Sequence, residues 1–317
     1  MKKNCILVTG SSGYVASDLI PRLNEFEVIG IDITKNNNTN FSLDISSNEI
    51  RTLASKIDEK FTVVNLAASR FDFGASAEDY YKLNVKCHEK FLNHLLPAKI
   101  ERFIHISSVA SIDGRHIPYN DGLNCDDAYR STKYLQEKII YKWALKNDVE
   151  LIILYPSAVF STNYRSDTNI GKLQKISKLL PFIPVISIKK SLTFLPDFNK
   201  FLIKSINKKI PPGNYLTINK PTITVTEILD ALSDGSKIKI KIPFIKEILT
   251  LTSNLIFIFS FFGKFDFKLM PNRVLKLFSD TSYENIDNYQ IDCDEYIMHS
   301  NKNLSDILSI TNNDTKK

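Results

Sequence analysis

Cys5-Ile6-Leu7-Val8-Thr9-Gly10-Ser11-Ser12-Gly13-Tyr14-Val15-Ala16 is the stretch on which the fold turns. Its apolar first half reads as a buried strand, and Ala16 to Asn24 carries apolar residues at three-to-four spacing, so a helix follows the glycines directly. Gly10 allows the tight turn between them. Gly13 lets the backbone approach a pyrophosphate at the positive end of the helix, and Ala16 is small enough for the helix to pack on the strand. A plain tight turn would use the same residues, so context decides.

Outward from that turn, short apolar runs recur at Glu27–Ile31, Phe61–Asn65, Arg102–Ile106 and Leu151–Leu154, and amphipathic segments such as Tyr80–Leu96 and Ala128–Lys146 lie between them. Such alternation predicts an α/β fold, a Rossmann-type doubly wound parallel sheet with right-handed crossovers. The patch Asn36–Asn40 reads as a surface loop. Beyond about residue 165 Pro181, Pro184, Pro196, Pro211, Pro212 and Pro221 break the rhythm. Residues 1–165 are therefore expected to form a nucleotide-binding domain, and 166–317 a smaller, less regular substrate-binding region.

Composition excludes several classes. The 317 residues are 43% hydrophobic and 24% charged, ordinary for a chain with a packed core and unlike a disordered or collagen-like one. Forty-one Lys and Arg against 35 Asp and Glu leave a net charge of +6, scattered along the chain, so nucleic acid is not an expected partner. Cys5, Cys87, Cys125 and Cys293 lie far apart with no metal-type spacing, which predicts neither disulfides nor a metal site and fits a reducing cytoplasm. The apolar run before Gly10 is too short for a signal peptide. The uncharged stretch Ile248–Gly263 is shorter than a membrane span and holds several polar residues. It reads as a buried or interface helix, or as a segment in peripheral contact with a membrane.

Gly30-Ile31-Asp32 ends the second strand about twenty residues after the turn, where a carboxylate accepts hydrogen bonds from both ribose hydroxyls and repels a 2′-phosphate, favouring NAD over NADP. A helix cap or solvated aspartate is the plainer reading. Further on, Ser107-Ser108 closes the fourth strand, and Tyr129 and Lys133 stand four apart on a helix. That spacing sets an ammonium near the phenol, which otherwise titrates near 10, and makes Tyr129 a tunable acid/base. Ser108, at the carboxyl edge of the sheet, is placed to hydrogen-bond the same substrate oxygen.

In this order and at these distances, the glycine turn, Asp32, the strand-end serines and Tyr129-Arg130-Ser131-Thr132-Lys133 resemble an extended short-chain dehydrogenase/reductase of the NAD-dependent epimerase/dehydratase family, which acts mostly on nucleotide sugars. Asn65-Leu66-Ala67-Ala68, Tyr81-Lys82-Leu83-Asn84-Val85, Leu154-Tyr155-Pro156-Ser157-Ala158-Val159-Phe160 and Ser191–Phe198 are similar to further family segments. The resemblance implies an NAD site built from Gly10, Ser12, Gly13, Tyr14, Val15, Asp32, Ile33, Asp44, Ile45, Leu66, Ala67, Ala68, Asn84, Ser107, Tyr129, Lys133, Pro156 and Val159. It implies catalysis by Ser108, Tyr129 and Lys133, and return of residues 191–218 to the nucleotide-binding sheet. Substrate contacts are expected from Arg70, Ser111, Lys190 and Arg273, although Lys190 and Arg273 read equally as solvated cations. A homodimer is the family expectation.

Tyr155, Ala158 and Lys86-Cys87 depart from the family pattern. Val109-Ala110 replaces the Asp-Glu pair that the family's dehydratases use, so dehydration is not expected. By resemblance the function is that of an NAD-dependent epimerase or keto-reductase working through a keto intermediate. A steroid-, lipid- or lipid-carrier-sugar-directed oxidoreductase, and a non-catalytic NAD-binding protein, remain as alternatives.

Overall fold

A computed structural model of the chain describes residues 4–68, 75–162, 168–233, 235, 237–251, 278–283 and 294–298. Arg70 and Arg273 lie outside the described residues, as does most of the 248–263 stretch. The strands are β1 (Cys5–Thr9), β2 (Glu27–Asp32), β3 (Phe41–Ser42), β4 (Phe61–Asn65), β5 (Ile100–Ile106), β6 (Glu150–Pro156), β7 (Ala158–Phe160), β8 (Ile183–Pro184), β9 (Lys189–Phe194), β10 (Gly213–Thr224), β11 (Lys239–Ile240) and β12 (Asp294–Met298). The helices are α1 (Tyr14–Leu19), α2 (Glu49–Lys56), α3 (Ala77–Tyr81), α4 (Cys87–His94), α5 (Val109–Gly114), α6 (Cys125–Lys146), α7 (Asn169–Leu179), α8 (Leu195–Ile206) and α9 (Val225–Leu232).

Two compact units emerge. The first contains the chain to Ser157, then Thr193–Ile218 and β12; the second contains Ala158–Leu192 and the described chain from Asn219 to Tyr283. In the first, β3, β2, β1, β4, β5, β6 and the leading half of β10 pair in that order, every pairing between them parallel. This is the mononucleotide-binding strand order of the Rossmann type. Strands β1 and β4 are buried at every residue, as their unbroken apolar runs require when helices cover both faces. One core cluster joins Leu7, Ile31, Phe61, Val63 and Phe103 of the sheet to Phe91 of α4 and Ile140 of α6.

The first unit's leading segment ends at Ser157, and Ala158–Phe160 lies beside β9 in the sheet. In the second unit the trailing half of β10 runs antiparallel to β9, and β8 pairs with β11 in parallel.

The Asn36–Asn40 patch is a surface loop, with Asn36, Asn37 and Asn40 exposed. It is anchored at two points: Thr39 is buried, its hydroxyl 2.9 Å from Ser11 Oγ, and Asn40 exchanges hydrogen bonds with Gly30 through its amide (2.9 Å) and its Oδ1 (2.7 Å), which composition alone does not disclose. One local expectation needs correction. The segment expected as one helix from Tyr80 is α3 and α4 joined by a π-helical turn, Lys82–Lys86. The wider turn turns Asn84 inward, where it is fully buried.

Candidate active site

The glycine turn is fixed by its own geometry. Gly10 sits at φ +70°, and a Cβ there would come within 2.9 Å of the Ala67 nitrogen and the Leu66 carbonyl carbon. A side chain at position 10 would force β1 and the end of β4 apart. Gly13 donates to the Gly10 carbonyl at 3.0 Å and leads into α1, which has no side-chain cap and no acidic residue in its first turn. Asp32 Oδ2 accepts the Ser12 amide at 3.0 Å and Oδ1 the Thr34 amide at 2.9 Å, so the carboxylate is held at the end of β2 beside the turn. A cradle closed to side chains, an uncapped helix end and an anchored carboxylate fit a dinucleotide's pyrophosphate and ribose.

Of the other residues expected there, Leu66 and Ala67 border the turn, the Ala67 amide donating to Thr9 Oγ1 at 3.2 Å. Asp44 Oδ1 accepts the Ser46 amide, Ile45 packs on the core, and Ile33 is exposed. Asn84 donates to Thr132 Oγ1 at 3.2 Å and so ties the π turn to α6. Pro156 ends β6, whereas Val159 belongs to the second unit.

Tyr129 and Lys133 lie one turn apart on α6, whose start is set by Asn124 accepting the amides of Asp126 and Asp127 at 3.0 Å. Their acidic side chains suit the positive helix end. Tyr129 meets Tyr80 edge to face, centroids 6.0 Å apart. Ser108 caps α5, its Oγ accepting the Ala110 amide at 3.2 Å. Gly114 lets α5 press on α6 next to Tyr129, since a Cβ there would lie 2.0 Å from the Arg130 carbonyl oxygen. The strand-end serine and the tyrosine helix are thereby held by one tight contact.

Lys133 is 1% exposed. Its ammonium donates to Gln136 Oε1 at 2.6 Å and to the Ile106 carbonyl, at the end of β5, at 3.3 Å. Burial pushes its pKa down to about 7, against the opposing pull of Glu137. Gln136 donates to His88 Nε2 at 2.8 Å, which assigns the ring proton to Nδ1, 3.3 Å from the Leu83 carbonyl. Burial, then the Lys133 charge, holds His88 neutral with a pKa of about 3. Beside it Thr9 Oγ1 donates to Asn65 Oδ1 (2.7 Å) and Asn65 Nδ2 meets His105 Nδ1 (3.1 Å). Burial lowers the pKa of His105 far below the ordinary value.

Ser111, expected to face the substrate, lies inside the fold beside Glu137. It is 1% exposed, and its hydroxyl donates to the Ser108 carbonyl (2.9 Å) and Glu137 Oε2 (3.0 Å). The same carboxylate accepts Ser107 Oγ at 3.1 Å and, through Oε1, the Tyr155 hydroxyl at 2.7 Å. Ser107 and Ser111 thus satisfy a carboxylate inside the fold. Lys190 lies in the second unit, where it donates to the Ser279 carbonyl; burial pushes its pKa down to about 8, with Asp280 opposing. Glu137, Gln136, His88, Asn65 and His105 were not singled out from the sequence. Extending the Tyr129–Lys133 face by one more helical turn would have reached Gln136 and Glu137.

Fold, glycine cradle and tyrosine helix together define a Rossmann-type dinucleotide-binding protein. The chain belongs to the NAD dependent epimerase/dehydratase family, whose model matches residues 6–180. NAD is the cofactor by which that family is described. Among solved structures it is similar to UDP-glucuronic acid 4-epimerase from Bacillus cereus in complex with NAD (21% identity, 75% of this chain and 86% of that one, TM-score 0.59). It is also similar to UDP-N-acetylglucosamine 4-epimerase from Bacillus cereus (15%, 75% and 85%, 0.61) and to dTDP-4-dehydrorhamnose reductase from Bacillus anthracis in complex with NADP (17%, 76% and 85%, 0.58). At such identities the likeness is one of fold. Comparison with curated protein sequences finds no match.

Proposed function

We propose that the chain is an NAD-dependent epimerase or keto-reductase of nucleotide sugars in which Tyr129 exchanges the proton of a substrate hydroxyl. The observation that carries this reading is the fully buried Lys133, one helical turn from Tyr129, its ammonium at the end of the strand that leads to Ser108. A buried, desolvated lysine is costly to keep and has no structural use that an apolar residue would not serve. Ser108 hydrogen-bonds the reacting oxygen, Tyr129 takes or returns its proton, and Lys133 supplies positive charge to that proton exchange. NAD, when bound, supplies the hydride acceptor and donor. Val109 and Ala110 begin α5 immediately after Ser108 and have no proton to exchange, so elimination of water is not part of this reading. The sugar-nucleotide chemistry of the epimerases and the reductase that share the fold supports the substrate class.

The test is incubation of the purified protein with UDP-, GDP- and dTDP-sugars, with and without NADH, and product analysis by mass and NMR. Isomerisation without net cofactor consumption identifies an epimerase, and stoichiometric loss of NADH a reductase. Tyr129→Phe is expected to lower turnover by at least a hundredfold, the usual scale of positioned proton transfer. Undiminished turnover in that variant refutes the mechanism.

A further inference from the structure

Of the twelve large apolar side chains that stand exposed among the described residues, eight lie in the second unit: Ile176 and Leu179 of α7, Val185 after β8, Ile238 and Ile240 along β11, and Phe244, Ile248 and Leu251 beyond it. The elements that carry them are joined in one layer. Lys237 Nζ donates to the carbonyls of Ser177 (2.7 Å), Lys178 (3.0 Å) and Leu180 (2.6 Å), fastening β11 to the end of α7. The Ile183 and Val185 amides donate to the Ile238 and Ile240 carbonyls at 2.9 Å. The inner side of that layer is already satisfied: Leu173, Ile183, Ile186 and Ile245 pack with Val225 and Leu229 of α9. Helix α7 and the segments after β8 and β11 thus each pack an apolar side chain (Leu173, Ile186, Ile245) into that core while others on the same segments stand exposed, a pattern that marks an interaction surface.

Charge names the partner. Residues 169–185 and 237–251 carry seven lysines against one carboxylate, Glu247, an excess that equals the net charge of the whole chain. Lys239 is paired with Asp230 at 2.6 Å, but Lys175, Lys178, Lys241 and Lys246 are exposed among the apolar side chains. Protein interfaces deplete lysine, whereas apolar residues interleaved with lysines match the boundary of an anionic bilayer, where long stems lie along apolar surface and ammonium groups meet headgroups. No helix among the described residues is long and apolar enough to cross a membrane.

We propose that this face of α7, β8, β11 and residues 244–251 docks the protein on an anionic lipid surface. The contact is peripheral and electrostatic in part. It uses none of the residues named in the catalytic reading above.

Co-sedimentation of the full chain with vesicles of phosphatidylcholine containing 30% phosphatidylglycerol, against pure phosphatidylcholine vesicles, tests it. Partitioning at least tenfold stronger on the anionic vesicles is expected, with loss in high salt. The combined change Lys175→Ala, Lys178→Ala, Lys241→Ala and Lys246→Ala should remove that preference, and Leu179→Glu should lower partitioning about tenfold. Phe244→Asn separates surface from stability. Phe244 sits at φ +54° with 78% of its surface exposed, a backbone conformation that asparagine adopts more readily, so this variant should bind vesicles less while melting no lower than the wild type. Absence of anionic preference overturns the proposal. So does vesicle binding indifferent to all these changes, or a Leu179→Glu variant whose only effect is to turn a dimer into a monomer in light scattering.

Discussion

Replacing Lys133 by methionine should abolish turnover and yet make the protein more stable at neutral pH. The side chain is buried, and its folded-state pKa of about 7 lies below the 10.5 of an exposed lysine. Between those two values the unfolded chain binds more protons than the folded one, so stability rises with pH across that window. The penalty is full below about pH 7 and fades toward pH 10.5. At 1.36 kcal/mol for each pH unit the gap corresponds to a cost on the order of 4 kcal/mol at pH 7. Methionine fills nearly the same volume without charge, but leaves Gln136 Oε1 without the donor now 2.6 Å away, a loss of about 1–3 kcal/mol. The net gain is about 1–3 kcal/mol, roughly 3–10 °C in melting temperature for a domain of this size. Calorimetry of wild type and Lys133→Met, both freed of nucleotide, at pH 7 and pH 10 checks it: the variant should melt higher at pH 7, and the difference should shrink by pH 10. A variant that melts lower at pH 7, or a difference independent of pH, would refute the claim that Lys133 is kept against its own desolvation.

The same network and the glycine cradle give two further tests. Gln136→Leu removes the principal acceptor of the Lys133 ammonium, worth about 1.5–3 kcal/mol for a charged donor, so the alkaline limb of kcat/KM should move down by roughly one to two pH units. A profile identical to the wild type's would show that Gln136 does not set the lysine. Gly10→Ala places a Cβ 2.9 Å from Ala67 N at φ +70° and should cost about 1–2 kcal/mol from the left-handed backbone alone. NAD affinity measured by calorimetry should fall at least tenfold, and wild-type affinity in that variant would remove the turn from the cofactor site.

Legibility followed the reach of each signal. The β1–α1 turn, the parallel strands and the Tyr129–Lys133 face were readable because each rests on a local rule: an apolar run, a glycine spacing, a helical i to i+4 step. What stayed hidden was long-range polar pairing. Nothing in Asn36–Asn40 says that Asn40 will close on Gly30, and nothing in Tyr80–Leu96 announces a π turn at Lys82 that buries Asn84 against Thr132. The bond of Ser111 to Glu137 was hidden for the same reason. A serine after a strand end looks solvent-facing until Glu137, 26 residues later, is seen to need its hydroxyl.

These hidden residues are tied together, and the tie explains why they are polar. Burial opposes a proton on Lys133 at the end of β5. The positions one turn further along α6 therefore carry Gln136, which accepts from the ammonium, and Glu137, whose charge raises the lysine's pKa. Gln136 can point its oxygen at Lys133 only if its amide nitrogen has an acceptor of its own, and neutral His88 is that acceptor. Were His88 protonated, two donors would face each other and the amide would have to turn its nitrogen toward the ammonium. Burial that holds the histidine near pKa 3 thus keeps the glutamine oriented with its oxygen toward the lysine. The strand-end carbonyl, the amide and the imidazole form one hydrogen-bonded arrangement around Lys133 whose orientation is fixed at the histidine.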